Sequence, residues 1–174
     1  MHVRPVAVLL VATALLMPVG AAADPVGLSP PVGRGTTDPL WVLPLAGPPT
    51  VTRRFDPPPQ PYAAGHRGVD LAGGVDAPVL ATGDGVVVFA GMVAGRPVVS
   101  IDHAGGLRTT YEPVDPSVAA GQAVARGSPI GTLLAGHAGC TATACLHWGV
   151  RRGETYLDPL GLLRAVRIRL LPWR

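Results

Sequence analysis

Apolar residues in the middle of the chain come in short runs set between glycine-rich turns. Val86-Val87-Val88-Phe89-Ala90 follows Gly83-Asp84-Gly85, and Pro97–Ile101 and Leu107–Glu112 flank His103-Ala104-Gly105-Gly106. Runs of this length bounded by turn residues predict strands, the last two paired as a hairpin with His103 at its turn in a structural role. From Val118 the rhythm changes. Val118, Gly121, Val124, Gly127 and Ile130-Gly131 place apolar residues and glycines alternately at every third position. That pattern predicts a chain rounding sheet corners, with glycines at positive φ. No stretch before residue 158 keeps a helical period for three turns, so the expected class is all-β, a compact antiparallel sandwich or barrel.

The ends read differently. Asp158-Pro159 predicts a short C-terminal helix, with Asp as the cap, Pro in the first position, and one or two turns over Leu160–Leu163. Beyond it Val166, Ile168 and Leu170 alternate with Arg167 and Arg169. This tail, 166–174, suits a terminal strand laid on the domain better than a basic strip for an anionic surface. At the other end, His2 and Arg4 precede the apolar run Val6–Val19 and the small residues Ala21-Ala22-Ala23. That order predicts a signal peptide over 1–23, cleaved after Ala23. The run is shorter than the roughly 20 residues a spanning helix needs, and Pro18 interrupts it. No later segment is long and apolar enough to span a bilayer, so the mature chain is expected outside the cytoplasm. Residues 24–40, rich in Pro, Gly and Thr, read as a flexible linker, and 41–165 as one folded domain containing a stiff Pro57–Pro61 connector.

Composition removes some functions. The net charge is +3, and all fourteen cationic residues are Arg. This mild basicity gives no ground for expecting a nucleic-acid partner. Carrier domains for biotin or lipoate share small glycine-rich β folds but attach their cofactor to a lysine, and this chain has none.

Candidate chemistry lies in Gly65-His66-Arg67-Gly68-Val69-Asp70 and in Cys145-Leu146-His147-Trp148-Gly149. Two His and one Asp with a fourth position free form a donor set suited to catalytic zinc. Ligands of one zinc lie within roughly 4 Å of each other, whereas four residues of flat strand span about 13 Å. The glycines at 65, 68, 73 and 74 disfavour a helix, so the chain is expected to bend between His66 and Asp70, with Gly68 as the hinge. A surface loop carrying an ordinary His and Asp satisfies the spacing equally well.

The combination of His66-x-x-x-Asp70, Asp102-His103-x-Gly105-Gly106-x-x-Thr109-x-Tyr111, the valine–glycine run 118–131 and Leu146-His147-Trp148 resembles the LytM/lysostaphin-type zinc endopeptidases, which cleave peptidoglycan peptides. The resemblance covers about Trp41 to Leu163. It implies an antiparallel β fold of the duplicated-hybrid-motif type, Zn2+ held by His66, Asp70 and His147, a water in the open position, and peptidoglycan peptide cross-links as substrate. Two non-ligand histidines usual in that family are missing: Cys145 stands two residues before the last ligand, and Pro113 follows Tyr111-Glu112.

Three residues are candidate stand-ins. Cys145 shares a strand face with His147. Tyr111 shares a face with Pro113 and could donate a phenolic hydrogen bond, which would turn Glu112 away. His137, in the segment Gly136–Gly139, could swing in or stay a solvated loop residue. The only two cysteines, Cys140 and Cys145, favour a disulfide in an exported protein, the alternative being Cys145 thiolate as a fourth zinc ligand. Two functions follow: a secreted zinc metalloendopeptidase with weakened activity, or a zinc-retaining wall-binding or regulatory module.

Overall fold

The computed structural model describes residues 40–164, apart from 49, 61 and 62. The expected signal peptide, linker and basic tail lie outside the described residues. Among the described residues, eleven strands form two sheets. In chain order they are β1 (Val51–Arg53), β2 (Gly68–Gly73), β3 (Pro78–Leu80), β4 (Gly85–Val93), β5 (Arg96–Asp102), β6 (Leu107–Glu112), β7 (Val114–Pro116), β8 (Ala123–Val124), β9 (Pro129–Leu133), β10 (Ala144–Arg152) and β11 (Thr155–Leu157). The large sheet runs β1-β2-β10-β6-β5-β4-β8, with β11 continuing beside β10; the small one runs β3-β9-β7. Every pairing is antiparallel.

The predicted strands are present, and β5 and β6 form the expected hairpin around a 3-10 turn at Ala104–Gly106. The corner-turning reading of 118–131 also holds: Gly121 and Gly127 take φ of +89° and +79°, the left-handed region that side chains avoid. The C-terminal helix is a single 3-10 element, Pro159–Leu163, and no α-helix occurs among the described residues. Asp158 caps it as expected, accepting from the Leu160 N–H at 3.0 Å. Its bonds close over three residues, Gly161 N–H to Asp158 C=O and Arg164 N–H to Gly161 C=O. A five-residue segment with a central glycine is too short to recover an α nucleus.

Strand alternation separates core from site. Val69 and Leu71 of β2, Tyr111 of β6, and Leu146, Trp148 and Val150 of β10 face one apolar core, joined there by Val79, Ile130, Leu133 and Val114 of the small sheet. The opposite face of the same strands carries Asp70, Glu112 and His147. The register sets them side by side: His147 pairs with Asp70 on one edge of β10 and with Glu112 on the other.

Candidate metal centre

His66 is held before β2 begins. Its N–H and C=O both bond Asp56, at 2.7 and 3.0 Å, and the chain bends at Arg67. The bend therefore precedes Gly68, which is the first residue of β2 rather than the hinge. Gly68 is needed for space. A Cβ there would lie 2.8 Å from Cε1 and Nε2 of His147 and would collide with the Trp148 carbonyl oxygen. The bare backbone lets β2 and β10 close up with the imidazole folded over it. Thr52, at the irregular point of β1, donates to the Asp70 carbonyl at 3.1 Å and tethers the other edge of β2.

Three donor atoms converge. His66 Nε2 lies 2.9 Å from Asp70 Oδ1 and 3.0 Å from His147 Nδ1, and His147 Nδ1 lies 2.8 Å from Asp70 Oδ1. The His66 tautomer follows from its other nitrogen. Nδ1 is 2.7 Å from the Arg54 carbonyl oxygen, which can only accept, so Nδ1 carries the proton. The His66 Nε2 faces a carboxylate oxygen and a second ring nitrogen, and a proton on His147 Nδ1 bridges these acceptors in the absence of an ion; a divalent cation at the same point would take all three atoms as donors. Bonds of about 2.1 Å in a tetrahedron would set the donors about 3.4 Å apart, a few tenths of an ångström wider than observed. Asp70 is 1% exposed, and its Oδ2 is buried without a partner. His66, Asp70 and His147 therefore fit a metal ion, and they form the metal-type group found among the described residues.

Burial works to raise the Asp70 carboxyl, but the hydrogen bond from His147 and the neighbouring imidazoles of His137, His147 and His66 hold it below its ordinary value. It is thus ionised. The surrounding cleft, about 290 Å³, is lined by Arg53, His66, Arg96, Glu112, His137 and His147 among others.

The stand-ins separate. Tyr111 does not reach the site: it is fully buried on the core face, its phenol 2.8 Å from Thr82 Oγ1 and 3.0 Å from Thr109 Oγ1. Burial pushes that phenol up, against hydrogen bonds from Thr109 and Thr82. Cys145 is bonded to Cys140, which removes both the thiolate ligand and any acid–base role for its sulfur. His137 does enter. Its side chain is 10% exposed, its Nε2 is 3.3 Å from Asp70 Oδ1, and its ring stacks on that of His147 at 5.6 Å. Glu112, expected to turn away, lines the cleft and pairs with Arg96 at 3.0 Å. The signal for it was the alternation of Leu107, Thr109 and Tyr111 with Arg108, Thr110 and Glu112, which assigns the tyrosine to the core. His103 is buried and structural: Nδ1 is 2.8 Å from the Asp84 carbonyl oxygen and Nε2 is 2.7 Å from Thr109 Oγ1.

Comparison with known proteins agrees with this geometry. The chain belongs to peptidase family M23, whose model matches residues 64–159. Uncharacterized proteins of Mycobacterium tuberculosis and Mycobacterium bovis are 56% identical over 133 residues, covering 74% of this chain and 53% of theirs. The chain thus spans about half the length of the curated relatives it matches. Among solved structures, Helicobacter pylori Csd3 superposes with a TM-score of 0.61 at 26% identity, over 76% of this chain and 37% of that one. A zinc-containing peptidase from Vibrio cholerae gives 0.55 at 29% identity, over 67% and 36%.

Proposed function

We propose that this protein is a zinc metalloendopeptidase that cleaves peptide bonds of cell-wall peptidoglycan outside the cytoplasm. The observation that carries the reading is the convergence of His66 Nε2, Asp70 Oδ1 and His147 Nδ1 on one point, a donor set of the number and type that zinc takes. Membership of a family whose peptidases act on peptidoglycan supports the substrate, and the disulfide suits an oxidising compartment. No helix among the described residues is long and apolar enough to cross a membrane.

Zinc bound here would supply a Lewis acid and lower the pKa of its water toward about 7. The chain's own residues prepare the site. Arg54 fixes the tautomer of His66, the backbone register sets Asp70 beside His147, and the core-facing Trp148 and Val69 hold both strands rigid behind them. The cleft beside the cluster is open to an extended peptide, and Arg53 on its wall suits a substrate bearing carboxylates, while Arg96 there is paired with Glu112.

The test is elemental analysis of the purified chain, with His66→Ala and His147→Ala alongside, followed by release of new amino termini from purified wall with and without chelator. One zinc in the wild type, its loss in both variants, and chelator-sensitive cleavage are expected. Undiminished zinc in both variants would sink the ligand assignment. Zinc retention with tight wall binding and no cleavage would instead establish a non-catalytic wall-binding module.

A further inference from the structure

His137 is a loop histidine that behaves like a buried one. Its Nδ1 is buried with no partner, and its Nε2 faces Asp70 Oδ1 at 3.3 Å, so Nε2 is the nitrogen that carries a proton. Leaving a buried ring nitrogen unpaired is costly and has no purely structural gain to offset it. The loop is shaped to produce this placement. The His137 carbonyl accepts from the Cys140 N–H at 3.2 Å, and Cys140 is bonded to Cys145, two residues from His147 on β10. The sulfur on the strand, unable to act in acid–base chemistry, anchors the segment that delivers an imidazole to the same place. His137 is also outside the group of donors that converge on one point, which comprises His66, Asp70 and His147.

We infer that His137, clamped by the Cys140–Cys145 disulfide, is a catalytic residue whose Nε2–H hydrogen-bonds the scissile carbonyl oxygen as that oxygen gains negative charge. This rests on the zinc-peptidase reading for its substrate, but the placement can be tested without turnover. The probe is a phosphinate analogue of alanyl-alanine, whose tetrahedral anionic oxygens mimic that charged oxygen, bound to the zinc-loaded full chain.

In His137→Ala, phosphinate affinity is expected to fall roughly ten- to hundredfold, the worth of one hydrogen bond to a charged group. Zinc affinity, measured by chelator competition, should be unchanged. On wall peptides kcat should fall about 10²–10³-fold at constant KM. His137→Gln keeps an N–H donor, should lose less, and guards against a collapsed loop. Cys140→Ser/Cys145→Ser should lose phosphinate affinity by the same factor as His137→Ala, and adding His137→Ala to it should cost nothing more.

A roughly 10–100-fold fall in zinc affinity in His137→Ala would overturn the proposal, since it would mark a group that only orients or ligates the metal site. Unchanged phosphinate affinity would overturn it as well, and full additivity with the cysteine variant would remove the clamp. A wild type that cleaves nothing yet shows the phosphinate loss in His137→Ala sinks the peptidase reading, and with it the catalytic role, and keeps only the placement of His137 Nε2–H as a donor to an anionic oxygen at the site.

Discussion

Single residues here do work that depends on being buried. His103 sits under Trp41, ring to ring at 4.9 Å, and bridges the Asp84 carbonyl and Thr109. Burial lowers its pKa below 6.5, against the hydrogen bond to Asp84 and the charges of Asp102 and Asp84. The unfolded chain therefore takes up a proton near pH 6.5 while the folded chain stays neutral to lower pH. The stability owed to neutral His103 is present above that value and is lost as the pH falls below it. In chelator-treated protein, the difference in Tm between wild type and His103→Gln should narrow as the pH is lowered from about 7.5 to about 5. Parallel curves would show that His103 charges as readily folded as unfolded.

Among the elements, β10 organises the others. It is paired on both edges, to β2 and then β11 on one and to β6 on the other, so His147 lies mid-sheet between Asp70 and Glu112. Its N-terminal end is fixed by the disulfide, which closes a loop of sequence separation 5. A loop this short removes little denatured-state entropy, so Cys140→Ser/Cys145→Ser should cost roughly 2 kcal/mol in urea unfolding. A cost near zero would mean that the loop is held by packing alone. The same two strands explain Gly68, where the approach of β10 leaves no room for a side chain beside the His147 ring.

For the whole molecule, the metal cluster and the fold support each other. Its three donors come from two segments brought together by the β2–β10 pairing, so only the folded state could hold an ion between them. Zinc at a hundredfold excess over its Kd should add about 2.7 kcal/mol, raising Tm by roughly 5–10 °C. Thermal melts with and without chelator check this. The shift should be absent in His147→Ala, and a shift that persists there would place the ion elsewhere.

What the sequence determined by itself was local. Alternating apolar runs and turn residues specify β4, β5, β6 and the hairpin between them, and glycines at 121 and 127 mark corners, because these depend on neighbouring residues. His66, Asp70 and His147 were legible as a set through the family resemblance, since their spacing alone suits an ordinary surface loop equally well. The tertiary structure decided which faces met. Strand register put Glu112 beside His147 and sent Tyr111 into the core, a choice that a single-residue phase reverses and that only the packing of Leu107, Thr109 and Tyr111 settles. The placement of His137 was decided there too: it depends on a covalent tie between a loop and a strand, and no periodicity in the chain records where a loop side chain comes to rest.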